Sequence, residues 1–119
     1  MNPRSIAYMP HFDLEARSGE KSTLVTMRGD FDLQVAESVA AKLAEVESTR
    51  PELLVLDLSA LSFLDSSGMG VIAAAHARAE ATARSFVVVN PPYGVRQAFA
   101  LSKLDQVITI VDDLASVYP

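Results

Sequence analysis

The sequence contains no cysteine and no tryptophan, and only two of its 119 residues, His11 and His76, are histidines. Without cysteine the chain has no disulfide, no thiolate-ligated zinc, no iron–sulfur cluster and no cysteine nucleophile. Two histidines are also too few for a multi-histidine metal site. We therefore predict a protein that carries neither a metal nor another cofactor.

Positive charge is scarce as well, because 10 lysines and arginines stand against 15 aspartates and glutamates and leave a formal net charge of −5. Nucleic-acid binding draws most of its affinity from basic side chains that neutralise phosphates, so an acidic chain without a basic cluster argues against that partner. No apolar run approaches the roughly 20 residues that span a bilayer, and no signal peptide follows Met1. We expect a cytoplasmic protein with no nucleic-acid partner and no membrane partner.

Apolar residues are abundant: they make up 50% of the chain, and charged residues make up 21%. This composition is typical of a globular protein, and the length suits one hydrophobic core. We predict a single domain over residues 1–119. Residues 1–10 include two prolines and show no period, so we expect them to form an irregular lead-in.

Hydrophobic periodicity predicts strands that alternate with helices. Two alternating runs joined by the turn at Ser18–Lys21 indicate a hairpin, whereas Leu53–Leu56 and Phe86–Val89 are continuous apolar runs, typical of buried parallel strands. We therefore predict an α/β fold, a mixed sheet of about five strands with about four helices that form a single layer mainly on one face. The predicted strands cover residues 11–18, 22–28, 53–56, 86–89 and 107–111, and the predicted helices cover residues 32–48, about 65–84, 94–103 and 112–117.

The run Asp65-Ser66-Ser67-Gly68 lies where a predicted buried strand gives way to an alanine-rich helix. A helix N-terminus exposes backbone N–H groups and carries partial positive charge, and both features favour a phosphoryl group. The serines are placed to accept such a group. The alternative is a plain helix cap, because serine and aspartate are the commonest N-cap residues.

The segment from Asp57 to Ile72 (DLSALSFLDSSGMGVI) closely resembles the signature of the STAS domain, a module shared by sulfate transporters and anti-sigma factor antagonists. It is most similar to the stand-alone bacterial antagonists, the anti-anti-sigma factors. The run Gly29–Asp32 stands where the family carries Gly-Glu-hydrophobic-Asp before its first helix. The resemblance covers nearly the whole chain, since the family's C-terminal helix-to-strand spacing is also present, at Val95, Phe99, Leu104 and Val107.

The resemblance implies a partner switch. In this family the first serine of the Asp-Ser-Ser-Gly run is phosphorylated by an anti-sigma factor that is itself a serine kinase, and that serine is Ser66 here. The unphosphorylated antagonist binds the anti-sigma factor and frees the sigma factor. The phosphorylated form releases the anti-sigma factor, and a serine phosphatase resets the switch. The chain is then expected to be no enzyme but a kinase substrate, and ATP belongs to the kinase.

Two short segments supply the candidates for contact with the partner. One surrounds Ser66, and the other is a loop that we predict to lie at the same end of the sheet. The candidate residues are Asp65, Ser67, Gly68 and Met69 in the first segment and Asp30, Phe31 and Asp32 in the second.

Several of these candidates have a structural alternative. Asp65 either orients the serine hydroxyl or contacts the kinase, or it caps the helix. Ser67 is a second phosphoryl acceptor or, in our preferred interpretation, a cap. Met69 is expected to be exposed as an interface contact, with a core position as the alternative, and Asp32 is expected to cap the first helix.

Three other functions compete with the switch. A serine hydrolase needs a base, yet Ser66 lacks the Gly-x-Ser-x-Gly elbow, and His76 lies ten residues further along the same helix. A nucleotide-binding module is disfavoured because the phosphate-binding glycine motifs are absent. An adaptor within the same family, serving a lipid transporter or a stress-signalling scaffold, is not separated by the sequence. We expect His76 to be structural and expect Arg78 and Arg84 to form a solvated helix face.

Overall fold

The computed structural model describes residues 11–118, which form one five-stranded sheet, three α-helices and two 3-10 helices. The predicted lead-in of residues 1–10 lies outside the described residues. The strands are β1 (Phe12–Ser18), β2 (Ser22–Phe31), β3 (Leu53–Leu64), β4 (Ser85–Val89) and β5 (Thr109–Val111), and the α-helices are α1 (Leu33–Glu47), α2 (Ser66–Ala81) and α3 (Tyr93–Leu101).

The five strands lie in the sheet in the same order as in the chain. β1 and β2 pair antiparallel, while β2 with β3, β3 with β4 and β4 with β5 pair parallel. The antiparallel pair needs only a tight turn, whereas each parallel pair needs a crossover, which α1, α2 and α3 provide. The predicted mixed sheet of five strands is therefore confirmed.

The prediction of a fourth helix was wrong. Residues 112–117 contain only a 3-10 helix, Leu114–Ser116, in which the Asp113 carboxylate accepts a hydrogen bond from the Ser116 N–H at 2.9 Å. The segment makes a single α-type hydrogen bond, from the Tyr118 N–H to the Leu114 carbonyl at 2.8 Å, and does not extend into an α-helix. The last strand is also shorter than predicted, because Val107 ends a second 3-10 helix, Leu104–Gln106, and β5 starts at Thr109.

One hydrophobic cluster holds the helices to the sheet. Alternate residues of β3, Leu54, Leu56 and Leu58, are fully buried in it, together with residues from all three helices. Val55, which alternates with them, is buried but lies outside the cluster. The helices therefore cover one face of the sheet, as predicted. Their contributions are Val35, Val39, Leu43 and Val46 of α1, Met69, Ile72, Ala75 and Ala79 of α2, and Val95 and Phe99 of α3.

The C-terminal segment lies near the other face. Ser22 alternates with the buried Thr23, so its side chain points away from the helices. The Ser22 hydroxyl lies 3.1 Å from the Tyr118 hydroxyl. The chain therefore returns from the edge strand β5 to the start of β2. Within residues 11–118, no helix is both long enough and apolar enough to cross a bilayer.

Candidate functional site

Two neighbouring parallel strands end side by side and place the candidate site at one edge of the sheet. β2 and β3 stay paired to their last residues, Phe31 and Leu64. The next residue in each case is an extended aspartate, Asp32 or Asp65, that caps the following helix. The positively polarised N-termini of α1 and α2 therefore lie next to each other. This brings the two predicted site segments together.

Asp32 caps α1, as predicted. Its Oδ1 accepts a hydrogen bond from the Gln34 N–H at 3.0 Å, and its carbonyl accepts from the N–H groups of Val35 and Ala36, each at 3.1 Å. The Nε2 atom of His11 lies 3.4 Å from both carboxylate oxygens of Asp32. The start of β1 is thus also tied to this edge.

Asp65 caps α2 and also accepts a hydrogen bond from the start of α1. Its Oδ1 accepts from the Gly68 N–H at 2.9 Å, and its Oδ2 accepts from the N–H of Leu33, the first residue of α1, at 3.1 Å. The Asp65 N–H in turn donates to the Phe31 carbonyl at 3.3 Å. One half-buried carboxylate therefore joins the starts of both helices, which we did not anticipate from the sequence.

Ser66 is the first residue of α2, and it is exposed. Its hydroxyl has no hydrogen-bond partner among the residues that the structure describes, and neither do the N–H groups of Ser66 and Ser67. The geometry leaves the Ser66 oxygen open to an enzyme and two backbone donors close to any group attached to it. The prediction that Ser67 caps the helix was wrong, because Asp65 occupies that position and Ser67 is a half-buried residue of the first turn.

Gly68 is buried where α2 packs closely against the ends of the strands. A Cβ atom there would lie 2.6 Å from Leu64 Cδ1 and 2.8 Å from the Phe31 carbonyl oxygen. Only glycine lets α2 approach the ends of β2 and β3 this closely. Gly68 therefore allows α2 to pack against the ends of β2 and β3. It does not offer a surface to a partner, in contrast to the prediction.

Two further candidates for contact with the partner are also buried, contrary to the prediction. Met69 is only 7% exposed and Phe31 is fully buried, so Phe31 presents no surface to a partner and Met69 presents only a small one. Met69 lies on the same helical face as Ile72, His76 and Ala79, which packs on the sheet. Phe31 stacks at a tilt against Phe12, with 5.6 Å between ring centroids.

Asp30 lies half-buried beside the close contact of β1 with β2. Its backbone N–H donates to the His11 carbonyl at 2.8 Å. Gly29 has a φ of 90°, and a side chain there would collide with that same carbonyl. The prediction that these three residues form a loop was wrong, because Asp30 and Phe31 are the last residues of β2. Asp30 and Asp32 keep surface exposure, and Phe31 does not.

Two exposed apolar side chains were missed in the sequence. Leu33 is 74% exposed beside Asp65, and Leu101, at the end of α3, is 86% exposed. Leu101 borders a groove of about 500 Å³ between α2 and α3 whose wall includes Ser66. Leu33 lies outside the apolar stripe by which α1 packs on the sheet. An apolar residue off that stripe is the sequence signal from which its exposure could have been predicted. The other groove residues are Leu64, Asp65, Met69, Gly70, Ala73, Ala98 and Ser102.

A larger cleft, of about 890 Å³, lies at the opposite ends of α1 and α2. There Arg78 donates two hydrogen bonds to the Glu47 carboxylate, at 2.6 and 2.8 Å, which raise the pKa of the guanidinium group. Arg84 donates to the Pro51 carbonyl at 3.0 Å. Arg78 thus joins α2 to α1, and Arg84 joins the segment after α2 to the loop before β3. The expectation that Arg78 and Arg84 form a solvated helix face was wrong. We give this cleft no functional weight, because Arg78 and Glu47 are paired with each other and Arg84 is bonded to backbone carbonyls.

His76 is buried and packs edge-on against Phe86, with 5.6 Å between ring centroids. Ten residues of helix separate it from Ser66, a rise of about 15 Å. It is too far away to act as a base for that hydroxyl. No group of three or more metal-ligating side chains occurs within the part of the chain that the structure describes.

Comparison with known proteins identifies one family. The family model described as STAS domain matches residues 12–117. A protein from Lysinibacillus sphaericus named Anti-sigma F factor antagonist is 30% identical over 95 residues, which cover 79% of this chain and 80% of that protein.

Solved structures with this fold point the same way. An anti-sigma factor antagonist from Mycobacterium paratuberculosis superposes with a TM-score of 0.80 at 23% identity, over 92% of this chain and 94% of that chain. The Bacillus cell fate determinant SpoIIAA in its phosphorylated form superposes with a TM-score of 0.69 at 23% identity, over 89% and 96% of the two chains. At these identities the likeness shows a shared fold.

Proposed function

The chain belongs to the STAS domain family, and on that premise we propose that it is an anti-sigma factor antagonist whose binding is controlled by phosphorylation of Ser66. Unmodified, it binds a serine-kinase anti-sigma factor and so frees a sigma factor. Phosphorylated, it releases that partner. It acts as a substrate and a binding partner and not as an enzyme.

The observation that carries the proposal is the exposure of Ser66 at a helix N-terminus between polar and apolar surfaces. Its hydroxyl is accessible, while the neighbouring Ser67 is half-buried. Leu33 and Leu101 offer exposed apolar area of the kind that a partner covers. Asp30, Asp32 and Asp65 add negative charge to the same edge of the sheet.

The chemistry at Ser66 needs no catalytic group from this chain. In the forward step, the Ser66 oxygen forms a bond to the γ-phosphorus of ATP held by the kinase, the bond from that phosphorus to the β–γ bridging oxygen breaks, and ADP leaves. The serine proton passes to a base of the kinase. In the reverse step, a serine phosphatase directs water to the phosphorus and returns the hydroxyl and inorganic phosphate.

Phosphorylation opposes binding for an electrostatic reason. The phosphoryl group adds a charge of about −1.5 to −2 at neutral pH, directly beside the carboxylate of Asp65. Within an interface that charge must lose its water and face any carboxylate of the partner, and like-charge contacts there can cost several kcal/mol. Each loss of about 1.4 kcal/mol weakens binding tenfold, so one modification is enough to switch the complex off without unfolding the chain.

A binding measurement tests the proposal. Phosphoserine is installed at position 66 during translation, and both forms are titrated calorimetrically into the serine-kinase anti-sigma factor encoded nearest to this gene. We expect the unmodified chain to bind and the phosphorylated chain to bind at least about tenfold more weakly. Equal affinities of the two forms would contradict phosphorylation control, and no binding by either form would remove that kinase as the partner.

A further inference from the structure

We infer that Asp65 is a positioning residue that transmits the phosphorylation state of Ser66 to the start of α1. The link is the hydrogen bond from the Leu33 N–H to Asp65 Oδ2. The inference rests on the proposed modification of Ser66, but it concerns the response of the chain itself. It can therefore be tested without any kinase or partner.

Leu33 depends on Asp65 for this bond. The first four N–H groups of a helix lack partners within the helix. In α1, the N–H groups of Gln34, Val35 and Ala36 all bond to Asp32, either to its side chain or to its carbonyl. The Leu33 N–H instead reaches across to the cap of the other helix. Among the described residues, Asp65 is its only acceptor.

A phosphoryl group on Ser66 competes directly with Asp65. Both groups are anionic, they belong to consecutive residues, and both are attracted to the N–H groups of the first turn of α2. The N–H groups of Ser66 and Ser67 are unoccupied within the described chain and become donors to the phosphoryl oxygens. Repulsion from these oxygens then favours rotation of the Asp65 carboxylate away from Ser66.

Of the two hydrogen bonds that the Asp65 carboxylate accepts, the one from Leu33 breaks more easily than the one from Gly68. The Leu33 bond is longer, at 3.1 Å against 2.9 Å, and it is exposed where the Gly68 bond is partly buried. An exposed bond exchanges more easily with water. Phosphorylation therefore loosens the first turn of α1, where the 74% exposed Leu33 lies, while α2 stays capped. Phosphorylation of Ser66 therefore changes the surface at the starts of both α1 and α2.

Amide exchange read by NMR tests this coupling. The exchange rate and proton chemical shift of the Leu33 amide are compared between the unmodified chain and the chain with phosphoserine installed at position 66. We expect the Leu33 amide to exchange about fivefold faster in the phosphorylated chain and its proton to shift upfield. The Ser116 amide, which also donates to an aspartate carboxylate, that of Asp113, is the internal control and should not change.

The Asp65→Asn variant separates coupling from a merely structural role. Asparagine has one acceptor oxygen, which stays on the partly buried Gly68 N–H, so its NH2 group faces Leu33 and the Leu33 link is already cut before phosphorylation. In this variant, phosphoserine at position 66 should leave the Leu33 amide unchanged, although the fold is retained. An equal Leu33 exchange rate with and without phosphoserine in the wild-type chain would overturn the inference. So would the same acceleration in Asp65→Asn. Neither result depends on whether a kinase uses Ser66.

Discussion

Asp65 and Leu33 are 32 residues apart in the chain, yet the carboxylate of the first accepts the backbone N–H of the second at 3.1 Å. The same carboxylate caps its own helix at Gly68. The bond exists because β2 and β3 end in register and deliver both helix starts to one place. The edge that exposes Ser66 is therefore also a structural joint between α1 and α2.

This joint predicts that Asp65 contributes more to stability than an ordinary cap. Asp65→Ala removes an acceptor from two helices and should lower the free energy of unfolding by about 2 kcal/mol, measured by urea denaturation. Asp32→Ala removes the side-chain cap of α1 and the longer 3.4 Å contact with His11, and should cost about 1 kcal/mol. Equal losses for the two variants would mean that the bond to Leu33 adds nothing.

The two glycines at the start of α2 form a matched pair. Gly68→Ala places a methyl group against Leu64 and the Phe31 carbonyl and should destabilise the chain by about 1–3 kcal/mol. Gly70→Ala meets no atom within 4 Å and should stabilise it by roughly 0.5–1 kcal/mol through helix propensity. Thermal melts of both variants provide the comparison. A harmless Gly68→Ala would contradict the close approach of α2 to the strands.

The sequence predicted part of this site and missed the rest for definable reasons. The capping role of Asp32 and the position of Ser66 follow from local residue types, and both were predicted. Phe31 and Met69 were misplaced because their exposure depends on how far β2 extends and on which face of α2 packs. The bond from Leu33 to Asp65 depends on strand register, which no local pattern contains.

The exposed Leu101 side chain predicts a specific loss of binding. Leu101→Ser removes an 86% exposed side chain at the groove beside Ser66 and should weaken the complex with the anti-sigma factor about tenfold. Stability should change little, because the residue is not in the core. Tyr93→Ser is the control, since Tyr93 is 77% exposed at the other end of α3, about 12 Å away along the helix. Calorimetric titration compares the two variants, and equal weakening would show that the groove has no special role.

The ion pair of Arg78 with Glu47 predicts a modest effect far from the site. Glu47→Gln weakens both charged hydrogen bonds and should lower the free energy of unfolding by about 1 kcal/mol, because Arg78 is nearly half exposed and water screens the pair. It should not change partner affinity. A large change in affinity would indicate that the cleft at the helix C-termini contributes to binding.

The central claim is that Ser66 is the phosphorylated residue, and intact mass spectrometry tests it most directly. The purified chain is incubated with ATP and a lysate of the source organism, next to Ser66→Ala and Ser67→Ala variants. We expect the mass of one added phosphoryl group on the wild-type chain and on Ser67→Ala, and none on Ser66→Ala. Addition that persists in Ser66→Ala would show that Ser66 is not the phosphorylated residue. So would no addition to any of the three chains by a lysate whose serine kinases are shown to be active.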